Sequence, residues 1–143
     1  LFGLGFAQDE ERTSVRIEMG EFYFQLEAQD QNEAIGLDAG VPYALTFVNV
    51  GDVEHEVLIG QGLLTEDGVP DGYETNLFDG IELDVTGDGW YVEVGGVIEF
   101  ELEAGERVTL EVTVRASRVG AWEIGCFIPG HDQAGMKAPF EVR

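Results

Sequence analysis

Several residue types are scarce in this 143-residue chain, which has one cysteine, two histidines, two methionines and one lysine. A lone cysteine excludes an internal disulfide and leaves the redox compartment open. Seven basic residues stand against 29 acidic ones, for a net charge of −22. Nucleic-acid binding is thereby excluded, because it needs a basic face. No apolar run approaches the about 20 residues required to span a bilayer as a helix. The length suits one domain with a single core.

The scarce residues are not scattered. The segment Cys126-Phe-Ile-Pro-Gly-His131-Asp-Gln-Ala-Gly-Met136 gathers the only cysteine, one histidine and one methionine at C-x4-H-x4-M spacing. Alone, Cys126 reads as a buried structural thiol. With an imidazole and a thioether on the same short loop, it reads as a ligand of a mononuclear blue-copper site, in which the thioether is a weak axial donor. Such a site needs a second imidazole, and His55 is the only one left. It opens an apolar run just after the Gly51-Asp52 turn, at the mouth between two expected strands. Met136, between a glycine and a lysine, suits a loop apex, whereas Met19 reads as packing. The expected metal ligands are His55, Cys126, His131 and Met136, holding one copper per chain.

Asn49-Val-Gly-Asp-Val-Glu-His55-Glu and Gly120-Ala-Trp-Glu-Ile-Gly-Cys126 through Lys137 resemble cupredoxins of the plastocyanin/azurin superfamily. The loop spacing is more like that of rusticyanin or auracyanin than that of plastocyanin. The likeness covers about a third of the chain sharply, and elsewhere it is only a compatible strand pattern. Glu56 stands where many of these proteins carry Asn or Ser, a neighbour that helps hold the ligand loop. The resemblance implies an electron-transfer protein cycling Cu(II)/Cu(I). Partners such as a cytochrome or oxidase would dock near His131, through a small apolar patch of Pro129, Gly130, Ala134, Gly135, Ala138 and Pro139. The alternative is a copper carrier or chaperone of the same fold, which Glu54-His55-Glu56 also suits. A carrier with a second, labile site would need methionines and histidines beyond those present. Counting limits enzymatic readings too: multicopper oxidases and nitrite reductases need further histidines, and a binuclear copper centre needs a second cysteine. A non-enzymatic, monomeric protein is expected.

Along the chain, Ser14–Glu18 and Glu21–Glu27 alternate apolar and polar residues as half-buried strands do. Asp30–Gly36 reads as a polar turn, and Val41–Val50 and His55–Ile59 as strands. Val97–Leu102 and Arg107–Arg115 flank a hairpin turn at Glu103–Glu106, and in the second Val108, Leu110, Val112 and Val114 share one face. Gly120–Cys126 and Lys137–Val142 complete the set, with Trp122 read as core packing. About eight strands with turn signals indicate an all-β, Greek-key β-sandwich. Residues 60–96, rich in Gly, Asp and Glu and with Pro70, are expected to be a long irregular insertion. Within it Asp84–Gly89 faintly resembles a calcium loop, but Gly95 stands where the bidentate Glu should be, so a glycine turn is expected.

Residues 1–8 are apolar with small residues and run into Asp9-Glu-Glu11. They read as the remnant of a signal peptide cleaved after Ala7 or as a disordered amino terminus, with an ordinary first strand as the alternative. On this reading the single cupredoxin domain spans 9–143. Export to a periplasmic or extracytoplasmic space is expected on the same reading, with or without a membrane anchor. The acids spread along the whole chain, which favours a halophilic surface over an acidic docking face for a basic partner.

Overall fold

The computed structural model describes residues 11–143. Twelve strands follow in order: β1 (Thr13–Gly20), β2 (Tyr23–Leu26), β3 (Ile35–Leu37), β4 (Pro42–Asn49), β5 (His55–Glu66), β6 (Val69–Asn76), β7 (Leu83–Gly87), β8 (Trp90–Val94), β9 (Glu99–Leu102), β10 (Arg107–Thr113), β11 (Gly120–Gly125) and β12 (Lys137–Val142). One sheet has the order β2-β1-β4-β10-β7-β8 and the other β3-β12-β11-β5-β6, with β9 paired to the first residues of β5. β1 runs parallel to β4 and β3 parallel to β12, so both sheets are mixed. The chain changes sheet repeatedly, and two of the crossings, β4 to β5 and β10 to β11, deliver the strands that bound the site described below.

Alternation places the core. In β10 Val108, Leu110 and Val112 are buried, and the residues between them face outward or lie half-covered. A two-residue period lets each strand present one face to the opposite sheet. Ile17, Leu45, Phe47 and Leu110 of the first sheet meet Leu37, Ile59, Ile124 and Phe140 of the second in one cluster. Trp122 is buried in the same cluster, with its indole N–H on the carbonyl of Arg118 at 2.8 Å. Met19 is also fully buried there.

Residues 60–96 differ from the sequence expectation. They form the second half of β5 and all of β6, β7 and β8; these three strands, with the short β3, bring the number to twelve rather than about eight. Residues 61–66 of β5 are exposed on both faces, so burial imposes no alternation on them. Main-chain pairing with β6 holds them instead, with a register shift at Leu64/Thr65. The turn is Asp67-Gly68, at φ 52° and 79°. An Asp-Gly pair with both φ values positive is a favoured two-residue hairpin turn. β7 and β8 form the second hairpin around Asp88-Gly89, and the Asp84–Gly89 stretch serves as strand and turn. Between the two hairpins Leu77, Phe78 and Ile81 are buried in the core. Ile35 is buried within β3, where a polar turn was expected.

Residues 1–8, read as a signal-peptide remnant, lie outside the described residues. Among the described residues no helix is long and apolar enough to cross a membrane.

Candidate metal centre

Strand pairing decides what meets. β11 runs antiparallel to β5, with Ile124 opposite Ile59 and Gly125 opposite Leu58. Cys126 therefore leaves the ladder beside the residues that begin β5, and the first of these is His55. One donor atom each from His55, Cys126 and His131 lies within 4.8 Å of the others. The Cys126 sulfur is 3.4 Å from Nδ1 of His131, and the two imidazole centroids are 5.1 Å apart. His55 and Cys126 are fully buried, whereas His131 is half-buried.

The loop from Cys126 to Met136 closes on itself through main-chain bonds. The Cys126 N–H donates to the carbonyl of Met136 at 3.3 Å, and the Met136 N–H donates to that of His131 at 3.1 Å. The His131 N–H in turn donates to Ile128 O at 2.9 Å. Met136 is fully buried immediately before β12, rather than at an exposed apex. Asp132, also buried, reaches Lys137 Nζ at 3.4 Å. From outside the loop, Asn32 Nδ2 donates to Gly135 O at 3.3 Å.

His55 is held by a second framework. Asn49 is fully buried and donates to Val53 O at 2.8 Å and Leu102 O at 2.9 Å, while its carbonyl accepts from Gly51 N–H at 2.9 Å. Buried amide groups that are fully paired hold a loop firmly, because any alternative leaves a polar group bare. Glu56, next in the chain, bridges to the cysteine loop. Its N–H donates to the Cys126 sulfur at 3.3 Å, and its carboxylate accepts from Phe127 N–H at 3.2 Å.

Burial pushes the Cys126 thiol up, although the N–H groups of Glu56 and Ile128 act against this. Burial, and then the neighbouring His55, push His131 down. Burial also pushes Glu56 up to about 8, followed by its hydrogen bond to Glu99 and the charge of Glu99. Glu21 moves the other way. Its burial raises it, but the N–H groups of Asp52 and Val53 and the His55 ring together bring it below the usual value.

The donor set fits a copper ion. A thiol and two imidazoles within reach of one ion are the strong donors that a type 1 copper site takes. Nδ1 of His55 is buried and without a hydrogen-bond partner, as expected of an atom reserved for a metal.

No protein-family model matches the sequence, and no curated protein is similar to it in sequence. Solved structures are similar in fold. Na-dithionite-reduced auracyanin from Roseiflexus castenholzii superposes with a TM-score of 0.55 at 18% identity, over 94% of this chain and 99% of its own. Rusticyanin from Thiobacillus ferrooxidans gives 0.54 at 16% identity, over 91% of this chain and 77% of its own. The fold is the cupredoxin fold. A multicopper oxidase from Campylobacter jejuni contains it too: it matches 97% of this chain with a TM-score of 0.56 at 14% identity, and the chain spans only 32% of that protein's length.

Within this cupredoxin fold the sequence-predicted residues His55, Cys126 and His131 converge, and Met136 is tied by its main chain to the other two loop residues. Of the small residues expected around His131, Pro129, Gly130, Ala134 and Pro139 are exposed and Gly135 is half-buried. Ala138 is not part of that surface: it pairs with Ile124 on β12 and is 2% exposed, because strand alternation turns it into the core. Glu21, Phe22 and Asn49 were not anticipated. Phe22 packs edge-on to His131 with centroids 4.7 Å apart. Glu21 and Phe22 lie far along the chain from either motif, whereas Asn49 opens the segment that ends in His55-Glu56 and so carries a sequence clue.

Proposed function

We propose that this chain is a mononuclear blue-copper electron-transfer protein with His55, Cys126 and His131 as strong ligands and Met136 as the weak axial one. The observation that carries the reading is the convergence of two imidazoles and one thiol within 4.8 Å. Bound copper would supply a one-electron Cu(II)/Cu(I) couple whose two states share a compromise geometry. The chain supplies the rest. Cys126 loses its proton on metal binding, and the N–H of Glu56 stabilises the resulting negative sulfur. Asn49 and the closed loop keep the donors in place, so little rearrangement accompanies a change of charge. His131, half-buried and bordered by Pro129, Gly130, Ala134 and Phe22, is the way out for the electron.

Both histidines of the chain belong to this cluster, which supports electron transfer over oxidase chemistry and over a carrier with a second, labile site. A redox protein such as a cytochrome or oxidase would dock at the His131 end of a monomer. The extracytoplasmic space is the natural compartment for that work. The acid-rich surface fits a saline one.

The test is to add Cu(II) to the apoprotein. Intense visible thiolate-to-copper absorption should appear, and Cys126→Ser should abolish it. Colour that survives in Cys126→Ser would refute the site. Zinc suits the same N and S donors, so the preparation should first be stripped of metal.

A further inference from the structure

Between β1 and β2 the hairpin tip, Glu21-Phe22, turns onto the histidine pair. Oε1 of Glu21 lies 2.8 Å from Nε2 of His55. The same carboxylate accepts the N–H of Asp52 at 3.1 Å through each oxygen and that of Val53 at 3.2 Å. All three partners belong to the segment that opens β5, so the carboxylate is held by the element it steadies. Gly51 makes room for it, because a Cβ there would collide with the Glu21 carboxylate. His55 is 0% exposed and the Glu21 side chain 29%, so the pair is only partly screened by water.

We propose that Glu21 is a positioning residue for the metal centre, fixing the His55 proton on Nε2, aiming the Nδ1 lone pair at the metal and biasing the centre toward Cu(II). The inference rests on the copper reading above. The physical reason is twofold. A carboxylate that accepts one ring N–H selects the tautomer and makes the opposite nitrogen more electron-rich. It also sets a negative charge near the metal, which favours the more positive ion. The contact leaves Nδ1 as the only free nitrogen of His55, and that atom is buried and unpartnered.

Two readouts separate this role from mere support of the fold. The first is the Cu(II)/Cu(I) potential of the wild type and of Glu21→Gln, which keeps the size and an acceptor oxygen but removes the charge. The preference for Cu(II) over Cu(I) should fall about tenfold, a rise of ~59 mV for a one-electron couple. An unchanged potential in a coloured Glu21→Gln protein overturns the proposal. The second readout needs no metal: an NMR spectrum of the His55 ring nitrogens in the apoprotein. The wild type should show a single tautomer protonated at Nε2, and Glu21→Ala should show a mixture. A single unchanged tautomer in Glu21→Ala also overturns the proposal. If neither protein gains colour with Cu(II), the copper reading fails, and the ring-nitrogen spectra alone decide the role of Glu21.

Discussion

The main-chain N–H of Glu56 donates to the sulfur of Cys126 at 3.3 Å, linking the start of β5 to the end of β11. The carboxylate of the same residue accepts from Phe127 N–H. One residue thus serves the sulfur with its backbone and the ligand loop with its side chain.

Glu56→Gln keeps an acceptor for Phe127 and leaves the backbone bond to sulfur intact, so copper should stay bound with its colour unchanged. Glu56→Leu removes the acceptor and should cost about 1 kcal/mol. Denaturant midpoints and the rate of copper loss to a chelator check both. Equal behaviour of the two variants would show that the carboxylate does not brace the loop.

Met136→Leu should retain copper and raise the potential, because a weak axial donor stabilises Cu(II) more than Cu(I). Burial of the replacement is not an obstacle, since Leu and Met differ little in volume and such swaps cost less than about 1.5 kcal/mol. Voltammetry and metal analysis give the answer. Copper lost from this variant would mean that the thioether holds the metal rather than tuning it.

Tyr73 governs an alkaline limb. Burial raises its phenol far above the usual range, followed by its 2.7 Å hydrogen bond to Glu123 and that residue's charge. Because the folded value is the higher one, the stabilisation is complete below roughly pH 10, the unfolded value. It is lost as pH climbs toward the folded value. Tyr73→Phe should cost about 1 kcal/mol at neutral pH and flatten the decline above roughly pH 10. Urea midpoints across pH test this, and parallel declines in the two proteins would contradict it.

Salt should stabilise the fold. With 29 acids against 7 bases, like-charge repulsion dominates the surface, and the screening length falls from ~10 Å at 0.1 M to ~3 Å at 1 M. The melting temperature should rise across that range in both apo and copper forms. A flat melting temperature, with electron-transfer rates to a basic cytochrome falling steeply instead, would assign the acids to docking.

The clustered donors and the sandwich could be read from the sequence because both leave local marks. C-x4-H-x4-M is short, and the alternation of Val108, Leu110 and Val112 records a face turned inward. The outer half of β5 left no such mark, since both its faces meet water and only its main chain is paired. The Asp67-Gly68 signal was present but lay within an acid- and glycine-rich stretch that reads as loop. Glu21 and Phe22 were illegible for another reason. Their role comes from the contact of a distant hairpin with His55 and His131, and no spacing along the chain encodes that.

The ring of main-chain bonds from Cys126 through His131 to Met136 makes the donor loop a cassette clipped between two strand ends. Its shape depends chiefly on its own backbone, with Asn32 and Glu56 as side-chain ties from outside. Substitutions in the sheets can therefore accumulate without respacing the donors, and changes of loop length can retune the centre without refolding the sandwich. The same separability lets a chain sharing only 18% of its residues with auracyanin keep that protein's architecture along 94% of its length.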